Sequence, residues 1–338
     1  MASPNTNYTD ILATTIESRS KTIADNVTKN NALLGRLKKK GKIKTFSGGH
    51  KILQELSFAE NGNAGWYSGY DTLPVAASEV ISTAEFGIKQ LAVPVVISGL
   101  EELQNAGKEK MIDLMEARLE VAESTISNFI AGGLYGDASS SPGGAKAING
   151  LGDALTPGVV SGRFATGTYG NIPRAANTFW QHFYQKDLTW TSATVQAAMN
   201  TLWSKLVRGM DRPDLILSEA TGWNNYITSL QALQRFASTD EAGLGFPSLK
   251  YMDADFILDG GIGGFAGDLL QTGVTVVESM YFLNTNFMFY RPHAARNMVP
   301  LSPNKRYSVN QDAEVQILAW AGNMTCSGLQ FQGRLGKT

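Results

Sequence analysis

One stretch of the chain has the spacing of a phosphate cradle: DFILDGGIGGFAGD, residues 255–268. Gly261, Gly263 and Ala266 fit G-x-G-x-x-A after a strand-like run. That pattern serves dinucleotides because the glycines admit a pyrophosphate to the amides of a helix N-terminus. Here only LLQTG follows before strand-like residues resume, so no βαβ unit is present. The expected reading of 260–267 is a surface loop, and the rival is a nucleotide-binding enzyme that uses it. His50, His182 and His293 are far apart, with no pair at metal-ligand spacing. The sequence has neither a G-x-S-x-G elbow nor a G-x-x-x-x-G-K-[ST] phosphate loop. Arg291 and Arg296 flank His293 in YRPHAARN and could bind a phosphate, although a polar loop closing a strand is the simpler reading. No catalytic, cofactor-binding or metal-binding residue is expected.

The remaining chemistry is electrostatic. RLKKKGKIK carries Arg36, Lys38, Lys39, Lys40, Lys42 and Lys44 with no acid among them. The other 23 basic residues face 30 acidic ones, a balance of −7, although the whole chain is at −1. A basic arm is thus attached to an acidic body. Three readings stay open for it: salt-sensitive, sequence-blind contact with nucleic-acid phosphates, a solvated linker, or docking on the acidic face of a neighbouring subunit.

Composition restricts the class further. Charged residues make up 17% of the chain, below the roughly 25% of an ordinary soluble domain, and there are 35 glycines. Both features suit a surface largely covered by something else, or a neutral protein rich in turns. The single cysteine, Cys326, permits no intramolecular disulfide and is expected as a small buried side chain in a strand. No apolar run approaches the ~20 residues of a membrane helix, and MASPNTNYTD does not read as a signal peptide. The expected site of synthesis is a reducing cytoplasm.

The elements that must position these groups follow from periodicity. Residues 10–37 read as an amphipathic helix. HKILQELSF (50–58) and EVISTAEFGIKQLAVPVVIS (79–98) read as strands of a long hairpin, with Pro94 on an edge or a bulge. Between them lies ENGNAGWYSGYDTLP, where Trp66, Tyr67 and Tyr70 stand among glycines, asparagines and acids with almost no aliphatic residue to pack on. Such rings belong to a loose surface loop or pack on another chain. Ser98 and Glu101 form a capping box that opens one helix over 98–131, with Gly107 as its weak point. Residues 147–190 read as loop-rich, 192–209 and 220–236 as helices, and 213–219 as a buried strand. Strands follow over 249–261 and 273–293, and two more over 313–335 are broken at Gly322.

This order resembles the major capsid proteins of tailed bacteriophages with the Hong Kong 97-type fold. The resemblance extends to WYSGYDTLP (66–74), AEFGIKQLAVPVVISGLEELQNAGKEKMIDLMEARLE (84–120), GFPSLKYMDADFILDG (245–260), MYFLNTNFMFYRPHAARNMVPL (280–301) and QDAEVQILAWAGN (311–323). It implies an α+β fold with an N-terminal arm (1–46) and an extended β-hairpin loop (47–97). A peripheral domain (98–190 and 291–338) holds the spine helix 98–131, an axial domain covers 191–290, and the tail near 305–338 returns to the peripheral sheet. It implies a homo-oligomer of pentamers and hexamers in an icosahedral shell around double-stranded DNA, with portal and scaffolding proteins as partners, no cofactor and no membrane. Trp66, Tyr67 and Tyr70 would then pack on the adjacent subunit, and the arm would run along the inner surface. With Met1 directly before the arm, any scaffold is expected to be a separate protein. Some relatives join subunits through Lys–Asn cross-links; Lys51 and Lys89 lie in the hairpin, but no motif marks them as reactive. Encapsulins, which share the fold and enclose enzymes, are the alternative of the same class.

Overall fold

The computed structural model describes residues 31–104, 114–136, 144–187, 189–230, 248–259, 279–301, 306–307 and 312–336. Most of the helix expected over 10–37 and the whole 260–267 glycine loop lie outside the described residues. Helix α1 (Ala32–Lys39) begins where Asn31 accepts a hydrogen bond from the Leu34 amide at 3.1 Å, the side-chain N-cap that relieves an orphan amide.

The expected hairpin forms only in part: residues 89–98, expected to continue its second strand, pair instead with the long strand Ala313–Cys326. Strand β1 (Lys51–Ser57) pairs antiparallel with β2 (Ile81–Gly87), Lys51 opposite Gly87 and Ser57 opposite Ile81. Period-two alternation turns Ile52, Gln54 and Leu56 inward with Ala84 and Phe86, and leaves Leu53, Glu55 and Ile81 outside. A two-stranded ribbon is marginal alone, and this one is anchored: Phe86 meets Tyr169 edge-on at 5.2 Å and Phe58 packs on Phe179 at 5.9 Å.

Strand β3 (Lys89–Ser98) leads into α2 (Gly99–Gln104) through the predicted capping box. The Ser98 amide donates to Glu101 Oε2 at 3.1 Å and the Glu101 amide to Ser98 Oγ at 3.3 Å. Helix α3 (Leu114–Tyr135) runs past the expected end at 131; residues 105–113, with Gly107, lie outside the described residues. Ala122, Ile126, Ile130 and Leu134 recur every fourth residue and are buried in one core with Val95 of β3.

Short elements follow: α4 (Leu151–Ala154), β4 (Gly162–Arg163), the small ribbon β5 (Thr168–Tyr169) with β6 (Ile172–Pro173), and β7 (Phe183–Lys186). Then come α5 (Val195–Leu206), β8 (Leu215–Ser218), α6 (Ala220–Ser229), β9 (Ser248–Tyr251), β10 (Ala254–Leu258), β11 (Ser279–Leu283) and β12 (Met288–Pro292). The chain closes with β13 (Val299–Pro300), β14 (Arg306–Tyr307), β15 (Ala313–Cys326) and β16 (Gly333–Gly336).

Two sheets organise these elements. Strand β15 pairs with β3, β12, β13 and β14. Pro94 is tolerated in β3 because, among the described residues, that strand pairs on one side only. The second sheet has the order β4-β7-β16-β11-β8-β10-β9. Its central strands are buried on both faces, so alternation sorts their side chains into two cores. Leu215, Leu217, Ile257 and Tyr281 join the core under α3, whereas Ile216, Phe256, Met280 and Phe282 join Val195, Met199, Leu202 and Leu206 of α5.

Two expectations need correction. Gly322 does not break the last strand: β15 runs unbroken through it. Glycine stands there because a Cβ would come within 2.6 Å of the Arg291 carbonyl oxygen and of the Trp320 ring, a close approach of the kind glycine allows in strands. The tail does not return wholly to the sheet of β3. Strand β16 instead lies between β7 and β11 in the seven-stranded sheet. That sheet also takes β4 and β7 from the 98–190 segment, so it crosses the boundary expected at 190/191.

Candidate functional site

The hairpin loop, residues 58–80, carries no strand or helix and holds its shape by local bonds. The Phe58 amide donates to the Val80 carbonyl at 3.1 Å and closes the ribbon. At the tip the Ser68 amide donates to Asp71 Oδ2 at 2.8 Å, and the Asp71 amide returns a bond to the Ser68 carbonyl at 3.2 Å. Gly69, at φ +55°, sits inside this turn. The turn projects the three rings away from the chain. Trp66 and Tyr70 are fully exposed, at 106% and 107%, and Tyr67 is 67% exposed. Leu73 and Val75 are exposed beside them. Rings of this size each bury about 150–250 Å² when covered, and nothing among the described residues covers Trp66 or Tyr70.

The six basic arm residues do not act as one patch. Arg36 is drawn inward, its Nε 3.3 Å from Asp214 Oδ2 and its Nη1 3.2 Å from Asp255 Oδ2. Lys40 Nζ lies 2.8 Å from the same Asp214 oxygen. Asp214 also accepts from the Thr285 amide and hydroxyl, both at 2.7 Å. At the other end of α1, Asp259 Oδ2 accepts from the Ala32 amide at 3.3 Å and from the Tyr135 hydroxyl. Burial, reinforced by the Asp259 charge, raises the Tyr135 phenol well above its usual range. The arm helix is therefore fixed at both ends to carboxylates of its own chain. Lys42 and Lys44 lie 5.2 and 5.0 Å from the centre of the Phe289 ring. Lys42 is lowered by burial first, then by the charges of Lys44 and Lys40. Lys38 and Lys39 are exposed.

The other singled-out groups have ordinary structural surroundings. His293 packs edge-on against Phe46 at 5.0 Å, and Arg291 donates to Gln54 Oε1 at 2.9 Å. Cys326 is buried in β15, and burial pushes its thiol up to about 12. Lys51 pairs with Glu85 at 2.5 Å, and Asn171 Nδ2 reaches that carboxylate at 3.2 Å. Among the described residues no helix is long and apolar enough to cross a membrane.

His182 forms part of a clasp that sequence reading missed. Four consecutive carbonyls at the C-terminal end of α4 are taken by three cationic or potentially cationic side chains. Arg174 Nη2 donates to the Asp153 and Ala154 carbonyls, each at 2.8 Å. Arg334 Nη1 donates to the Leu155 carbonyl at 3.0 Å, and His182 Nε2 to the Thr156 carbonyl at 2.9 Å. Helix ends leave such carbonyls unpaired. His182 is fully buried, and burial, with Arg174 close by, lowers it to about 3.

A second group the sequence did not signal lies where β4, β7 and the end of α5 meet. Arg163 stacks over Phe183 at 5.0 Å and donates to the Thr178 carbonyl at 2.7 Å. Arg208 stacks over Phe331 at 5.9 Å and donates to Gln330 Oε1 at 2.9 Å. Lys205 donates to Gln185 Oε1 at 3.2 Å. All three cations are exposed.

No protein-family model matches the chain, and no curated protein matches it in sequence. Solved structures do match. The capsid asymmetric unit of cyanophage A-1(L) is 15% identical, with a TM-score of 0.62 over 93% of this chain and 94% of that one. The capsid of a native GTA particle is 12% identical, with a TM-score of 0.61 over 100% and 96%. The holo-SrpI encapsulin complex from Synechococcus elongatus is 8% identical, with a TM-score of 0.56 over 95% and 94%. These matches span nearly the whole length of both partners and share the mixed α+β architecture described above. The chain has the Hong Kong 97-type capsid fold.

Proposed function

We propose that this chain is the repeating subunit of an icosahedral shell, the major capsid protein of a bacteriophage head enclosing double-stranded DNA. The observation that carries the reading is the hairpin tip: a 58–80 loop in a chain with the capsid fold presents Trp66 and Tyr70 with no cover among the described residues. Aromatic anchors of this kind dominate interfaces because they bury large areas at low entropic cost. The role is structural and involves no catalytic step. Pentamers and hexamers supply the missing cover, portal and scaffolding proteins assist assembly, and the mature location is the virion after synthesis in the bacterial cytoplasm. Lys38, Lys39, Lys42 and Lys44 are the arm residues left for phosphate contact, because Arg36 and Lys40 are committed to Asp214 and Asp255.

The encapsulin-like reading is favoured by one observation, the match to an encapsulin complex over nearly the full chain. Electron microscopy of the assembled protein, with nuclease-protected DNA measured in the same particles, separates the two. Closed shells of uniform size that protect long double-stranded DNA support the phage reading. Closed shells filled with protein and free of DNA support the encapsulin reading. A species that stays small under every assembly condition refutes both.

A further inference from the structure

From Ile52 to Ile88 the chain contains Glu55, Glu60, Asp71, Glu79 and Glu85 and no basic residue. Only Glu85 of these pairs with a described cation, Lys51 at the root. The projecting loop is therefore both aromatic and acidic. Like charges crowded on one element repel unless a cation covers them. The counterpart is present elsewhere on the same chain. Arg163, Lys205 and Arg208 make no ion pair among the described residues, and each is positioned by a neutral oxygen, so no described carboxylate compensates its charge. Arg163 and Arg208 lie close enough to repel: after burial, the Arg208 charge is the next cause lowering Arg163. Phe183 and Phe331 support the two guanidiniums from below, and Phe331 is itself stacked on Phe287 at 4.4 Å. The platform is thus preorganised, and its open guanidinium faces suit carboxylates and ring faces together.

We infer that the Arg163–Lys205–Arg208 platform of one chain receives the hairpin tip of a second copy, with the tip carboxylates on the cations and its rings against the guanidinium faces. This deepens the shell reading and rests on it. The platform adjoins the root of its own hairpin, since Arg163 is held by Thr178 and Phe58 packs on neighbouring Phe179. Each copy therefore offers a tip at one end and a receptor at the other. Such head-to-tail contacts close into rings when the rotation allows.

Complementation between two full-length variants tests the contact. The platform variant carries Arg163→Glu and Arg208→Glu, and the tip variant carries Trp66→Ala and Tyr70→Ala. Both are first shown to retain the parent's circular dichroism spectrum and thermal midpoint. Each alone is expected to sediment as a monomer. Their equimolar mixture pairs one intact tip with one intact platform and yields a heterodimer that dissociates as salt is raised. A mixture that remains monomeric at the highest soluble concentration overturns the inference. So does a platform variant that forms normal shells, including one whose only defect is loss of bound DNA, which would make the platform a phosphate surface. If the parent forms no shell but the mixture dimerises, the shell reading falls and the contact stands.

Discussion

Lowering the pH from 8 to 5 should weaken the subunit through His182. Its ring lies buried between Phe164 and the carbonyl clasp, and Nδ1 has no hydrogen-bond partner among the described residues. The charged groups acting on it are the Arg174 and Arg334 guanidiniums, and the Asp153 charge acts on Arg174. A proton on Nδ1 would place a third positive charge beside two that already lack a carboxylate hydrogen bond. The folded value is about 3 against an ordinary 6.5. The sign follows from linkage. Between those values the unfolded chain binds the proton and the folded chain does not, so stability is complete above pH 6.5 and falls as pH drops below it. The loss is about 1.4 kcal/mol per pH unit, or about 2 kcal/mol by pH 5. Other groups titrate in the same window, so the measurement is a difference. Urea unfolding of the unassembled subunit at pH 8 and pH 5 is compared with that of His182→Gln, whose amide can still donate to the Thr156 carbonyl. The variant should lose about 2 kcal/mol less than the parent over this range. Equal losses in the two proteins would refute the burial argument, as would a His182 imidazole resonance that titrates near pH 6.

The other expectations concern the arm, the tip and the thiol. Trp66→Ala with Tyr70→Ala should abolish shells in light scattering while leaving the subunit folded, and normal shells from that variant would remove the tip from the interface. Asp214→Ala removes the carboxylate that Arg36 and Lys40 share and that accepts from the Thr285 amide and hydroxyl, and should cost about 2–4 kcal/mol in urea unfolding; a change under about 0.5 kcal/mol would mean the arm is held by packing alone. Replacing Lys38, Lys39, Lys42 and Lys44 by Gln should flatten the slope of log affinity for double-stranded DNA against log salt by about 3–4, and an unchanged slope would show that the arm does not meet phosphate. Cys326 should resist thiol reagents until the subunit unfolds; rapid labelling of the native protein would contradict its burial.

Local features were legible in the sequence because their causes are local. The Ser98–Glu101 box, the alternation of β1 and the α5 stripe of Val195, Met199, Leu202 and Leu206 each arise within a few residues. The tip rings were legible as an anomaly, since too few aliphatic residues stand near them to make a core. What stayed hidden depends on distant partners. Arg36 meets Asp214 across 178 positions, and no composition argument distinguishes a docked arginine from a solvated one. Gly322 looked like a strand breaker because the reason for it, the Arg291 backbone, lies on another strand. Arg163 and Arg208 look unremarkable 45 residues apart, and nothing local in the sequence joins them.

The place of β16 has a consequence in time. Its four residues fill the slot between β7 and β11, and every other strand of that sheet precedes it in the chain. During synthesis at about 5–20 residues per second, the facing edges of β7 and β11 remain open until residue 336 has emerged. Until then the core of α5, which includes Leu335, is incomplete. A nascent subunit thus offers unpaired strand edges until residue 336 is available, and the seven-stranded sheet closes in a single step. Emergence of residue 336 thereby sets the moment at which a subunit acquires its full sheet.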